Sequence, residues 1–318
     1  MNGDRTGDGS VEFEAGQARV ELSDPLARCS ISELTTKDWA LEEDVAAYAA
    51  GGWGAIGVWL PKLEDPPFGG GYLPSARLDD ATVQRAVRTV RDAGLRTSHV
   101  VGSGLWTLPE PEHSRQLAHT AFAIEATAAF GAECLIVVPG PRLGRSLREC
   151  TDVAVRALRS VLEQRTAPVR LAIEPLRPAQ VDCFNSLAEV LNLIELVENP
   201  DLGVLLDTWH LWRSPTLLED IQRAGDRIFG VHLADAAVGD DGVSDTVRLV
   251  PGDGVIPFAE ILSVLDATGY AGWYVIELEQ ALDRSSGYTD LLATCADRMR
   301  NLLTQNVRHD SARRAPLG

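Results

Sequence analysis

The sequence is poor in basic residues and in long apolar runs. It has 29 lysines and arginines against 46 aspartates and glutamates, which gives a net charge of −17. Nucleic acids and anionic membrane surfaces attract basic surfaces, so we expect neither as a partner. No apolar run approaches the length of a membrane-spanning helix, and the polar residues at the start lack the apolar segment of a secretory signal.

Cysteine pairs and phosphate loops are also lacking. The five cysteines form no CxxC motif and no even framework, so we expect reduced, mostly buried thiols in a cytoplasmic protein. Gly252-Asp253-Gly254 is not flanked by the strand and helix of a P-loop. We therefore interpret it as a tight turn and expect an unphosphorylated substrate.

Short apolar runs alternate regularly with helical patterns along the chain. The runs predict strands near 27–33, 54–60, 96–101, 133–138, 169–174, 203–207, 228–232 and 273–277. Helices are predicted near 39–50, 80–93, 112–130, 146–165, 184–198, 215–225, 257–267 and 287–304. This alternation predicts parallel strands, and here an α/β fold with a single (β/α)8 TIM barrel. We expect a polar N-terminal extension at 1–23, the barrel at 24–305 and a flexible tail at 306–318.

Four side chains that can bind a metal ion end four of these predicted strands, namely Glu174, Asp207, His232 and Glu277. The carboxyl ends of barrel strands meet at one rim, where the active sites of such barrels lie. Three carboxylates brought together there repel one another unless a cation lies between them. The set is therefore a good oxygen-rich site for one divalent ion, with Mn²⁺, Mg²⁺ or Co²⁺ expected.

Several other residues are placed at or near this rim by the predicted strands. Lys62 follows the second strand, and Trp106 lies in a rim loop where an indole can stack on a sugar ring. We take both as candidate substrate-binding residues. His99 falls within the third strand and is expected to be a core histidine, whereas Asp235 is a candidate for orienting a ligand of the ion.

Five motifs then follow in a characteristic order. They are Leu171-Ala-Ile-Glu-Pro-Leu176, Leu205-Leu-Asp-Thr-Trp-His210, Val231-His-Leu-Ala-Asp235, Gly252-Asp-Gly-Val-Ile-Pro257, and Gly269-Tyr-Ala-Gly272 with Glu277 beyond it. Their order and spacing resemble the sugar phosphate isomerase/epimerase superfamily, the xylose isomerase-like TIM barrels. The superfamily includes ketose 3-epimerases, inosose dehydratases and 3-dehydroshikimate dehydratases. The resemblance implies that the four strand-end residues bind the metal, and that His210 and Arg248 contact substrate oxygens.

The expected chemistry is proton abstraction next to a metal-bound carbonyl, through an enediolate. Glu174 and Glu277 are the candidate catalytic residues, one taking a proton and the other returning it. We favour an isomerase or epimerase acting on a keto-sugar or cyclitol. A carbon–oxygen lyase with the same metal site is the alternative, and a non-enzymatic sugar-binding barrel is less favoured. A DNA-repair endonuclease of this superfamily would need a basic groove and more than six histidines. A homo-oligomer is left open.

Overall fold

The computed structural model describes residues 24–64, 77–178, 180–239, 242–278 and 287–313. Eight parallel strands form a barrel. They are β1 (Cys29–Ser32), β2 (Ala55–Trp59), β3 (Arg96–Gly104), β4 (Cys134–Val138), β5 (Leu171–Ile173), β6 (Leu202–Asp207), β7 (Ile228–Leu233) and β10 (Tyr274–Ile276). The barrel closes in the order β1-β10-β7-β6-β5-β4-β3-β2. The predicted fold class is therefore confirmed.

Nine helices are found among the described residues. They are α1 (Leu41–Ala50), α2 (Asp80–Asp92), α3 (Glu112–Phe130), α4 (Leu147–Gln164), α5 (Leu187–Val197), α6 (Thr208–Leu211), α7 (Leu217–Ala224), α8 (Phe258–Ala267) and α9 (Gly287–Arg313). Local sequence sets their ends. Ser146 and Glu149 form a capping box at the start of α4, and Gly131 ends α3 in the left-handed conformation. None of these helices is long and apolar enough to cross a membrane.

The buried apolar side chains of the described residues form one large cluster and two small ones, and the smallest contains Ala55, Trp273 and Val275. The large cluster fills the layer between strands and helices, with Ile31, Val100 and Leu171 among its fully buried members. A smaller cluster lies apart from it and includes Trp59 and Leu205, whose strands belong to the barrel wall. Strands buried on both faces explain the continuous apolar runs of the sequence. The five cysteines are all buried and free, in agreement with the expectation.

The structure adds two elements to the prediction. The short helix α6 follows β6 directly, and an antiparallel hairpin, β8 (Asp235–Gly239) with β9 (Gly242–Leu249), follows β7. The sequence predicted no element between the strand near 228–232 and the helix near 257–267, whereas these two strands pair there with each other and not with the barrel. Helix α9 continues to Arg313, beyond the predicted end at 304. The proposed extension at 1–23 lies outside the described residues.

Candidate metal centre

Four neighbouring strands of the barrel place the predicted ligands at one rim. Glu174 follows β5, Asp207 ends β6, His232 lies in β7 and Glu277 follows β10. These strands are adjacent in the order β5-β6-β7-β10, so Glu174 and Glu277 stand at the two ends of a continuous arc. One potential ligand atom from each residue lies within 4.8 Å of all the others. We call these four residues the four-ligand cluster, and it could hold a metal ion.

The imidazole of His232 faces the three carboxylates. Its Nδ1 lies 3.2 Å from Glu277 Oε2, 3.8 Å from Glu174 Oε1 and 3.9 Å from Asp207 Oδ2. Both ring nitrogens are buried and have no hydrogen-bond partner among the described residues. A buried polar atom without a partner is costly, so a group that binds Nδ1 would remove part of that cost.

Arg248 supplies a positive charge at the edge of this cluster. It lies at the end of β9, and its Nη1 donates to Asp207 Oδ2 at 2.7 Å and lies 3.4 Å from Glu277 Oε2. Burial acts to raise the pKa of the Asp207 and Glu277 carboxyls, but the positive charges nearby outweigh it. Arg248 and the nearby histidines hold the pKa of Asp207 below its ordinary value, and His232 with Arg248 does so for Glu277. Both groups are therefore charged at neutral pH.

His210 lies in α6, three residues after Asp207. Asp207 Oδ1 accepts hydrogen bonds from the backbone N–H groups of Trp209 and His210, so the aspartate caps α6 and fixes where the histidine points. The ring Nε2 lies 3.2 Å from Arg248 Nη2 and 3.9 Å from Glu174 Oε1. Burial lowers the pKa of His210 to about 4, so its ring is neutral and can accept or donate one hydrogen bond.

One supporting residue was missed in the sequence, and a second was expected only near a rim loop. Ser32, at the end of β1, donates its hydroxyl to Glu277 Oε1 at 3.1 Å. Trp209 lies beneath Arg248, with its ring centroid 4.7 Å from the guanidinium carbon, and donates its indole N–H to the Val247 carbonyl. A tryptophan two residues after a predicted ligand is a usable signal, but a single strand-end serine is not.

Asp235 folds the loop that follows β9. Its carboxylate accepts backbone N–H groups from Ala236, Gly252, Gly254 and Ile256, at 2.8 to 2.9 Å. Ala236 also pairs with Arg248 in the hairpin, so this carboxylate helps to hold the strand that carries the arginine. Gly252 takes a positive φ of 93°, which agrees with the predicted tight turn.

The two remaining candidates lie apart from the four-ligand cluster. Lys62 is buried, donates to the Thr36 carbonyl and forms an ion pair with Asp44, while Glu33 lies 3.9 Å away. We call Glu33, Asp44 and Lys62, with Thr36 and Tyr48, the Lys62 cluster. Trp106 is fully buried and donates its indole N–H to Thr120 in α3. The substrate-binding roles of Lys62 and Trp106 stay predictions.

Comparisons with known proteins agree with this geometry. Over 108 residues, the chain is 34% identical to an inosose dehydratase from Geobacillus thermodenitrificans, a match that covers 29% of this chain and 35% of that protein. Over 109 residues, it is 28% identical to a fructoselysine 3-epimerase from Escherichia coli O157:H7, with 34% and 38% covered. The chain thus spans little more than a third of the length of these relatives.

Solved structures match over much more of the chain. A protein from Sinorhizobium meliloti 1021 is 27% identical and superimposes with a TM-score of 0.73, covering 86% of this chain and 98% of that one. The zinc-bound IolI protein gives a TM-score of 0.70 at 19% identity, with 88% and 98% covered. The family model described as xylose isomerase-like TIM barrel matches residues 45–297. The chain therefore belongs to the xylose isomerase-like TIM barrel family.

Proposed function

We propose that this protein is a divalent-metal-dependent isomerase or epimerase acting on a keto-sugar or cyclitol. The observation that carries the proposal is the convergence of buried donor atoms in the four-ligand cluster. One atom from each of its three carboxylates and from its imidazole lies within 4.8 Å of all the others. Carboxylates held this close repel one another, and a divalent cation bound between them relieves that repulsion.

The donor set fits such an ion. Carboxylate oxygens suit Mg²⁺ and Mn²⁺, and the one imidazole extends the choice to Co²⁺ or Zn²⁺. Nδ1 of His232 is a buried lone-pair donor turned towards the three carboxylates, as a ligand must be. When bound, the metal would supply Lewis-acid polarisation of a substrate carbonyl.

The residues of the chain carry out the proton transfers and stabilise the negative charge that develops. Glu174 and Glu277 stand at opposite ends of the arc, so their carboxylates can reach a substrate carbon from two sides. One takes the proton next to the carbonyl, and the other returns a proton to the same carbon or to its neighbour. Arg248 Nη2 donates to His210 Nε2, 3.2 Å away, so the neutral His210 ring carries its proton on Nδ1. The guanidinium of Arg248 can also offer a hydrogen bond to the oxygen on which negative charge develops.

A dehydratase is the second candidate, favoured by the likeness to inosose dehydratase. It shares the first proton abstraction and differs in the loss of a neighbouring hydroxyl. The carboxyl that has taken the substrate proton, Glu174 or Glu277, can pass it to the leaving hydroxyl, so that water departs. The names of the relatives suggest small sugars and cyclitols as substrates. A cytoplasmic location stays a prediction.

A product assay in D2O tests the proposal and separates the two reactions. The Mn²⁺-loaded enzyme is incubated with ketoses, inososes and dehydroshikimate, and the products are analysed by mass spectrometry and NMR. We expect an isomeric product that carries deuterium at the carbon next to the carbonyl. A product lighter by one water would identify the dehydratase. Turnover without deuterium incorporation or water loss would contradict both mechanisms.

A further inference from the structure

His99 lies inside the barrel, next to a member of the four-ligand cluster. It belongs to β3, it is buried, and its ring centroid is 4.9 Å from that of His232, with the ring planes tilted by 52°. Nε2 of His99 has no hydrogen-bond partner among the described residues. A buried imidazole with an unused nitrogen is expensive to keep in a core, so its position beside His232 calls for a functional reason.

Gly57 on β2 makes the room for this imidazole. A Cβ atom at position 57 would lie 2.2 Å from Cε1 and 2.5 Å from Nε2 of His99, which is far closer than packed atoms allow. Any larger residue at 57 would force the ring to move. The slot is therefore built by two strands together, with the glycine of β2 opposite the histidine of β3.

Hydrogen bonds around Ser98 indicate which nitrogen of His99 carries the proton. Ser98 Oγ lies 3.2 Å from the Ile56 carbonyl, which can only accept, and 2.8 Å from Ser30 Oγ, which can donate. With the Ser98 proton on Ile56, its oxygen accepts from Ser30 and from His99 Nδ1, 3.1 Å away, which assigns the proton to Nδ1. Nε2 is left as a bare hydrogen-bond acceptor.

His232 has a ring nitrogen that needs a hydrogen-bond acceptor when the metal is bound. Its Nδ1 faces the carboxylates, so a metal bound there leaves the ring proton on Nε2, which is buried and without a partner among the described residues. Histidine ligands of protein-bound metals nearly always donate this second N–H to an acceptor, which fixes the orientation of the ring and raises its basicity. His99 offers an acceptor on the adjacent ring. The two Nε2 atoms are not hydrogen-bonded to each other in this structure, so the pairing requires one ring to turn when the ion binds.

We propose that His99 is a positioning residue of the metal centre, and that its Nε2 accepts the Nε2–H of His232 when Nδ1 of His232 binds the ion. The inference rests on the metal-binding part of the proposed function and not on the reaction. It assigns Gly57 the role of holding the slot open for the His99 ring.

Metal affinity measured without substrate tests this role. Mn²⁺ binding to the whole protein is measured by calorimetry for the wild type, His99→Gln and His99→Met. Glutamine places an amide oxygen near the position of Nε2, so we expect affinity close to that of the wild type. Methionine fills the space without a comparable acceptor, so we expect affinity to fall about 10- to 100-fold. Gly57→Ala, which displaces the ring, should weaken binding in the same direction.

The Co²⁺ absorption spectrum separates positioning from general loss of structure. His99→Met should shift the visible bands, because the His232 ring reorients, while His99→Gln should not. His119→Met is the matched control, since His119 lies in α3 of the helical layer, and it should leave affinity and spectrum unchanged. Equal affinity and equal spectra for His99→Met and the wild type would overturn the proposal.

The tautomer can be read from the wild type alone, so the test survives a variant that fails to fold. With only six histidines, ¹⁵N-histidine spectra of the Zn²⁺-loaded protein can be assigned one residue at a time. We expect His99 protonated at Nδ1 and His232 protonated at Nε2. A proton on Nε2 of His99 would refute the hydrogen bond. A wild type that binds no divalent metal would refute the proposal together with the metal assignment.

Discussion

Two buried clusters of charge lie in this barrel, and they differ in how the charge is balanced. In the Lys62 cluster, the amino group of Lys62 bonds directly to Asp44, and the Thr36 hydroxyl donates to the same aspartate at 2.6 Å. Burial, with the neighbouring Asp44 charge, raises the pKa of Glu33 to about 8, which keeps that carboxyl protonated at neutral pH. The charges inside the Lys62 cluster therefore cancel.

The four-ligand cluster differs in its histidine. Arg248 forms an ion pair with Asp207 and lies near Glu277, but both ring nitrogens of His232 lack a hydrogen-bond partner among the described residues. The Lys62 cluster therefore resembles a structural ion pair, which is complete without a ligand. The four-ligand cluster is incomplete, and the predictions below ask whether the two clusters respond differently to the same kind of change.

Removal of divalent metal is expected to have the largest effect. Chelation followed by desalting should abolish turnover, because only the four-ligand cluster needs a cation from outside the chain. An ion bound only to the native state at about 100 times its Kd adds about 2.7 kcal/mol to the free energy of unfolding. The melting temperature should therefore fall on chelation and recover with Mn²⁺. Full activity in excess EDTA, with no metal found by elemental analysis, would contradict the metal centre.

Neutral replacements of the two glutamates come next. Glu174→Gln and Glu277→Gln should each lower kcat by about 10²- to 10⁴-fold, the range for loss of an acid–base group, and both should weaken metal binding. Steady-state kinetics at saturating Mn²⁺ separates the two effects. Glu195→Gln, on the exposed face of α5, is a matched control with no expected change. Wild-type kcat in either site variant would remove that residue from the proton-transfer pair.

His210 and Arg248 should matter less to the metal than to the reaction. Neither belongs to the four-ligand cluster, but each can donate to a substrate oxygen. His210→Ala and Arg248→Ala should therefore lose about 10²-fold in kcat, the scale of one oxyanion donor, with near-normal metal content. Elemental analysis of both purified variants checks this. Loss of the ion from His210→Ala would mean that His210 is a fifth ligand, and normal kinetics in Arg248→Ala would leave only its ion pair with Asp207.

Loss of the buried lysine should show the opposite pattern. Lys62→Met leaves Asp44 buried without its cation, which typically costs about 3–5 kcal/mol of unfolding free energy. Metal affinity should stay unchanged, because the Lys62 cluster balances its own charge. Denaturant unfolding and calorimetry give the two quantities, with Lys37→Met at the partly exposed Lys37 as the control. A large rise in KM with unchanged stability would instead support the substrate-binding role predicted for Lys62.

The sequence was sufficient to locate the four-ligand cluster because parallel barrel strands all end at one rim. Glu174 and Asp207 needed only their strands and the direction of the chain to be placed. The contact of Ser32 with Glu277 depends on the register between β1 and β10, in which Ile31 pairs with Ile276. The residues of either strand alone do not determine this register. The direction of His99 was also hidden, because the pairing of β2 with β3 shifts between Ile56 and Gly57 and disturbs simple alternation.

The hairpin of β8 and β9 was missed for a related reason. We located barrel strands by continuous apolar runs, which arise when both faces are buried. These two strands pair only with each other and have no such run, so the sequence placed Arg248 in none of the predicted strands or helices. The ion pair of Arg248 with Asp207 joins residues 41 positions apart and follows from the hairpin alone.

The last expected effect concerns how stability depends on pH, and it isolates Glu33. The folded protein raises the pKa of Glu33 to about 8, above the ordinary value of 4.5. The native state therefore binds a proton that the unfolded chain releases between these values. The contribution of Glu33 to the free energy of unfolding is complete at low pH and is lost as pH rises towards 8.

Lys62, Asp44 and Tyr48 are the ionisable groups in the same cluster. Glu33→Gln removes the titration but keeps an acceptor for the Trp59 N–H. Its stability relative to the wild type should increase steadily between pH 5 and pH 8, as measured by urea unfolding. A constant difference over that range would show that Glu33 is charged in the fold, and that the Lys62 cluster is not neutral.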